Sequence, residues 1–192
     1  MKIMSTFFFL LSLFICLTLQ PRLISSKAVY ISETALNNPE LVKQACDQAG
    51  DKNFCINLLS SDKADGPKRN LKDIAFIALK IVEKNATETA MYIKTISNDD
   101  KIEPVVHEAL HDCKGNYINV DDLIEDAIDE LVSETYTEVV KFAKAALDDI
   151  IACDSEVKDQ HQEAAAKNAA VRQMLETAIS VVNVAAAGVA AH

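Results

Sequence analysis

The sequence predicts an all-α protein, and three observations carry that prediction. Only 4 Gly and 4 Pro interrupt 192 residues, too few breakers for the frequent turns of a β fold. No alternation of apolar and polar residues persists long enough for a strand. Apolar residues recur instead at three- and four-residue intervals through most of the chain beyond residue 38. Short polar connections between long periodic segments imply antiparallel neighbours, hence an up-down helical bundle.

Taken in order, Pro39 suits the first turn of a short helix capped by Asn38, running through Leu41, Val42 and Ala45 to Cys46. Gln48–Asn53 contains Gly50 and Asp51 and reads as a turn, after which Phe54, Cys55, Leu58 and Leu59 lie on a second short helix. Ser60–Pro67 is polar and holds the breaker pair Gly66-Pro67. Leu71, Ile74, Ala75, Ala78, Leu79, Ile81 and Val82 then recur at helical spacing, and the pattern continues to Ile96. Asn98–Lys101 is the next break, and Pro104 opens a helix with Val105, Val106, Ala109, Leu110, Cys113 and Tyr117. Asn119-Val120-Asp121 is expected to cap a separate run carrying Leu123, Ile124, Ala127, Ile128 and Leu131. Another run holds Tyr136, Val139, Val140, Ala143, Ala146, Leu147 and Ile150 and ends at Cys153. The last, from about Gln162 to Ala190, is rich in Ala and Val and apolar on several faces, as a buried bundle helix is.

The amino terminus predicts the compartment. Lys2 precedes a nearly unbroken apolar stretch from Phe7 to Leu19, Pro21 ends it, and Ser25, Ser26 and Ala28 follow. Residues 1–26 are therefore read as a signal peptide, with cleavage between 24 and 28. The apolar core is short for a membrane span. Residues 27–192 suit one domain with a real core. The leader holds Lys2 and Arg22 and no acid, so the mature chain keeps 17 basic and 29 acidic side chains, a net charge of −12. Such acidity argues against nucleic acid and anionic membrane as partners.

Cys16 leaves with the leader, and Cys46, Cys55, Cys113 and Cys153 remain. An even count in an oxidising compartment reads as two disulfides, with three pairings open. Local reach favours Cys46–Cys55, leaving Cys113–Cys153 as the long closure. Zinc ligation is the competing reading, and no paired Cys-X-X-Cys spacing supports it.

One motif invites an enzymatic reading. His107-Glu108-Ala109-Leu110-His111 is a literal HExxH, which on a helix sets two imidazoles on one face beside a carboxylate, as in zinc proteases. The extended motif needs Gly and His where this chain has Lys114 and Tyr117. Glu125 or Glu130 could be named as a third ligand, but acids are frequent throughout. The motif is read as a chance match between solvated histidines. His161 and His192 are isolated, and Asp121-Asp122 and Asp148-Asp149 read as solvated acid pairs rather than general acids or bases. No catalytic, cofactor-binding or metal-ligating residue is assigned, and no cofactor is expected. Asn85-Ala86-Thr87 is a sequon for N-glycosylation.

The cysteines with their flanks carry a resemblance. Cys46, a polar turn, Phe54-Cys55 and Leu58-Leu59-Ser60-Ser61-Asp62 resemble the opening of the plant invertase/pectin methylesterase inhibitor family. Ala109-Leu110-His111-Asp112-Cys113 with Tyr117 resembles the family's third-cysteine motif. Tyr136 and Ala145-Ala146-Leu147-Asp148-Asp149, ending at Cys153, resemble its fourth and lie nearest to invertase inhibitors of the pollen-allergen type. The resemblance spans about residue 28 to the end. It implies an up-down-up-down four-helix bundle behind a helical hairpin, with disulfides Cys46–Cys55 and Cys113–Cys153. It also implies a secreted, non-catalytic inhibitor, in the apoplast or cell wall with the vacuole as alternative, which occludes the active-site cleft of an acid invertase (β-fructofuranosidase). Pectin methylesterase is the alternative target, and a bundle of allergen or defence type without inhibitory activity is the third reading. Many pectin methylesterase inhibitors carry a further cysteine in the last helix; this chain has none after Cys153, which favours invertase. The Pro-Lys-Phe insertion of some invertase inhibitors is absent, its region reading Thr135-Tyr136-Thr137-Glu138. By analogy, the helix faces from Leu71 to Ile96 and from Pro104 to Tyr117 are candidate binding surfaces.

Overall fold

A computed structural model describes residues 38–61, 64–99 and 101–190. The signal peptide read at 1–26, Cys16 and His192 lie outside the described residues. Six helices and no strand occur among the described residues.

The first two helices are short. In α1 (Pro39–Ala45) the Asn38 side chain accepts the Leu41 N–H at 3.2 Å, and Pro39 occupies the first turn, where a missing N–H costs nothing. In α2 (Lys52–Ser60) Asp51 caps in the same way, accepting from Phe54 N–H at 2.9 Å. Helices this short are not stable alone. The Cys46–Cys55 disulfide joins them with 5.8 Å between Cα atoms, and Val42, Ala45 and Leu59 are buried with both sulfurs.

The remaining four helices, α3 (Leu71–Ile96), α4 (Pro104–Val132), α5 (Tyr136–Val157) and α6 (Gln162–Ala190), form the bundle. Packing runs in a ring: α3 on α4, α4 on α5, α5 on α6 and α6 back on α3. The connections at 97–103, 133–135 and 158–161 permit only antiparallel neighbours, which gives the up-down-up-down order. Ile74, Leu79, Ile93, Leu110, Ile124, Leu131, Ile150 and Leu175 are fully buried between them. Each contributes about 1.5–3 kcal/mol by leaving water. By length and composition α6 would also suffice to cross a membrane; here its Val171, Leu175, Val181 and Val182 are buried in the bundle. The Cys113–Cys153 disulfide ties α4 to α5, bringing their Cα atoms to 4.4 Å.

The structure corrects one expected boundary. Asn119-Val120-Asp121 starts no new helix, because α4 runs unbroken from Pro104 to Val132. Asn and Asp favour caps by competing for local backbone groups, but tertiary contacts outweigh that tendency here. Tyr117, Val120 and Ile124 form one buried stripe across the expected break, and the Asn119 side chain instead lies beside the Asp149 carboxyl on α5.

Both later turns are closed by specific residues. Thr135 N–H reaches Glu130 C=O at 2.9 Å and Glu134 N–H reaches Leu131 C=O at 3.1 Å, a Schellman closure of α4. Its pivot is Glu134 at φ +62°, the left-handed region that favours glycine. At the start of α6, His161 Nδ1 accepts the Ala164 N–H at 3.2 Å, and its ring stands edge-on to Tyr92 at 6.2 Å. His161 is thus a helix cap. Replacing it with alanine is expected to lower unfolding free energy by about 1 kcal/mol, measured by denaturant melts; an unchanged midpoint would remove the cap from the account.

A polar connection crosses the core. Tyr117 O–H donates to Asn168 Oδ1 at 3.0 Å, and Asn168 Nδ2 donates to Ile150 C=O at 3.0 Å. Side chains from α4 and α6 and a carbonyl of α5 therefore meet at one buried point.

Candidate functional site

The HExxH residues do not make a metal centre. His107, Glu108 and His111 are exposed on α4, and the nearest carboxylate to His111 Nδ1 is that of its neighbour Asp112, at 3.5 Å. Because α4 is continuous, Glu125 lies 14 positions further along the same helix, about 21 Å from His111, and Glu130 about 28 Å. Neither can complete a first coordination shell. Among the described residues, no group of three His, Cys, Asp or Glu side chains is placed to hold a metal. Tyr117, where the extended motif needs a histidine, is turned into the core.

The acid pairs are equally plain. Asp121, Asp122 and Asp148 are exposed. Asp149 has its carboxyl raised above its ordinary range, chiefly by partial burial; the Asn119 side chain opposes the rise and Asp148 adds to it. No nucleophile with an oriented base stands beside it, so the shift serves packing between α4 and α5.

The helices named as candidate surfaces, α3 and α4, are neighbours, and between them lies a shallow groove of about 370 Å³. Met91 of α3 and Ile118 of α4 line it at 58% and 60% exposure, a large apolar pair left uncovered. Ala90 and the edge of Tyr117 form its floor. The ends differ in charge. Lys94 and Lys114 stand at one, while Asp121 and Asp122 stand at the other, where the Thr87 hydroxyl bridges the helices to Asp121 Oδ1 at 3.0 Å. An apolar centre with a charged rim is the anatomy of a protein-binding patch. The sequence reading named the helices but not Met91 or Ile118. Their signal was present: Ile118 sits about 100° around α4 from Tyr117, off the buried stripe.

A second feature is the α4–α5 corner, where Pro-Lys-Phe is absent. Lys72 Nζ donates to Val132 C=O at 3.0 Å and to Glu134 at 2.8 Å, fixing the corner to the start of α3. Tyr136 beside them has its hydroxyl pKa raised by burial and by Glu134, against an opposing pull from Lys72. No projecting aromatic or basic residue leads from this turn, and Val132 is its exposed apolar side chain, at 60%.

Comparison with known proteins places this geometry. The family model for plant invertase/pectin methylesterase inhibitors matches residues 40–181. A pectinesterase inhibitor of Actinidia deliciosa is 27% identical over 143 residues, spanning 74% of this chain and 75% of that protein. A cell wall / vacuolar inhibitor of fructosidase from Arabidopsis thaliana is 28% identical over 112 residues, spanning 58% of this chain and 62% of that protein. Among solved structures, a mutant form of a pectin methylesterase inhibitor from Arabidopsis superposes with a TM-score of 0.64 at 23% identity, covering 72% of this chain and 92% of its own. That likeness speaks for the helical bundle, and the family match spans both disulfides, the groove and the α4–α5 corner. The chain is therefore no enzyme but a member of the plant invertase/pectin methylesterase inhibitor family.

Proposed function

We propose that this protein is secreted to the cell wall and inhibits an acid invertase by seating its bundle over the enzyme's active-site cleft, with the α3–α4 groove at the contact. The observation that carries the choice of target is the absence of any cysteine after Cys153, where many pectin methylesterase inhibitors have one. Similarity to a named fructosidase inhibitor agrees with it. Steric occlusion needs no catalytic group on the inhibitor. It needs a rigid, preorganised face, and a four-helix bundle tied by the Cys113–Cys153 disulfide supplies one at little ordering cost. A pectin methylesterase target is the second reading, favoured by the similarity to the Actinidia inhibitor.

The test is a side-by-side titration of the oxidised protein against an acid invertase and a plant pectin methylesterase at mildly acidic pH. Stoichiometric loss of invertase activity with the esterase untouched supports the proposal. The reverse result installs the second reading, and inhibition of neither overturns both. Ile118→Glu tests the groove. Placing a charge at the centre of a desolvated contact is expected to cost at least about 2 kcal/mol of binding, about 30-fold in the inhibition constant. Unchanged inhibition by a folded Ile118→Glu protein would move the contact elsewhere.

A further inference from the structure

Asn85-Ala86-Thr87 is the one Asn-X-Ser/Thr sequence in the chain. The groove takes up Thr87 but leaves Asn85 out. At 100° per residue, Asn85 points about 120° around α3 from Met91. It lies half-buried at the edge of a separate recess of about 300 Å³, and its Nδ2 donates to Ile81 C=O at 2.7 Å. The recess is rimmed by exposed Lys80, Lys84 and Glu88 of α3 and by Asp65 of the preceding loop. That rim is ionic and solvated, and it contains none of the exposed large apolar side chains.

From this placement we infer that Asn85 is an N-glycosylation site whose first sugar occupies the recess beside Lys80, Lys84 and Glu88. The inference rests on the reading of residues 1–26 as a secretory leader, which delivers the nascent chain to the transferase. In the transfer, Asn85 Nδ2 gives up one proton and forms a bond to the anomeric carbon of a lipid-linked oligosaccharide pyrophosphate. The donor's C1–O bond breaks, and the lipid pyrophosphate leaves with the bonding pair and takes up the proton that the amide releases. A primary carboxamide has two N–H bonds, so the product keeps one. That remaining donor is enough for the hydrogen bond to Ile81 C=O. Transfer takes place before folding, so the helix does not need to admit the enzyme; the finished fold has only to accommodate the sugar. The charged rim offers its hydroxyls partners on both signs of charge, and the chain beyond the first sugar leads into solvent.

The experiment uses the full chain in a yeast secretory host, with residues 1–26 in one arm and a heterologous leader replacing them in the other. Wild type, Asn85→Gln and Thr87→Ser are compared by intact mass before and after peptide-N-glycosidase. Behind the heterologous leader, wild type and Thr87→Ser are expected to lose one glycan's mass and to carry Asp at position 85 after treatment, while Asn85→Gln is unmodified throughout. Wild-type protein in the medium with an unmodified Asn85 overturns the inference. Failure of the native leader alone to deliver protein, with modification intact in the other arm, overturns the leader reading and leaves the glycosylation site supported.

Discussion

Replacing Cys113 and Cys153 together by alanine is expected to lower the unfolding free energy by about 4 kcal/mol. The bond closes a 40-residue separation, and the loop-entropy relation gives about 3.9 kcal/mol for a loop of that length. Against a total stability of about 5–15 kcal/mol the loss is severe. At about 2–4 °C per kcal/mol for a domain of this size, the melting temperature should fall by about 8–16 °C. Removing Cys46 and Cys55 opens a loop with a separation of only 9, worth about 2.6 kcal/mol on the same relation. That loss should also be local, because α1 and α2 touch the bundle only at its edge. The order is the test. Denaturant midpoints in which the Cys46–Cys55 variant is the weaker of the two would refute the assignment of α4–α5 as the main covalent closure.

The second large effect is expected at Asn168. Asn168→Ala removes the acceptor of the Tyr117 hydroxyl and leaves a void in a fully buried position. The lost hydrogen bond and the cavity together should cost about 2–4 kcal/mol. Tyr117→Phe removes only the hydroxyl and leaves Asn168 Oδ1 without its donor, for about 1–2 kcal/mol. The two changes share one network, so the double variant should cost less than their sum. Strict additivity would mean that the tyrosine and the asparagine act independently.

The same tyrosine makes an alkaline prediction. Burial holds the Tyr117 hydroxyl pKa well above the ordinary tyrosine value of 10.0, with the Thr89 hydroxyl opposing the rise. Above pH 10 the unfolded chain releases this proton and the folded chain does not, so the unfolded state binds fewer protons and stability falls with rising pH. Below pH 10 the contribution is intact. Tyr92, pushed up to about 12 by burial and by Glu163, acts in the same direction. Tyr117→Phe should therefore flatten the loss of stability above pH 10 without abolishing it, and identical alkaline profiles would reject the assignment.

Much of this was legible in the residues. The stripes of α3 and α5 are visible as helical periodicity because each buries one face against its neighbours, whereas α6 reads as a helix apolar on several faces. The false break at Asn119-Val120-Asp121 shows where local reading fails. Cap propensity is a property of neighbours in sequence, whereas Val120 and Asn119 are held by partners on other helices. Asn168 was invisible for a related reason. An asparagine in an alanine-rich helix reads as surface until Tyr117 and Ile150 are found against it. For the site, spacing discounted HExxH through Lys114 and Tyr117, and the straight run of α4 supplies the distance that settles it. Met91 and Ile118 could be phased away from the core, but that two helices bring them into one groove is a fact of packing.

The position of the Cys113–Cys153 bond also decides how the molecule breaks. The α4–α5 turn at residues 133–135 lies inside the covalent loop, so a protease that cuts there yields two fragments still joined through sulfur. Those fragments keep their packed helix faces and can remain docked on α3 and α6. A cut at 158–161 lies outside both loops and frees α6 from any covalent tether. The durability of a clipped molecule therefore depends on the site of the cut: after a cut beside Glu134 the two parts stay covalently joined, whereas after a cut beside His161 packing alone holds α6.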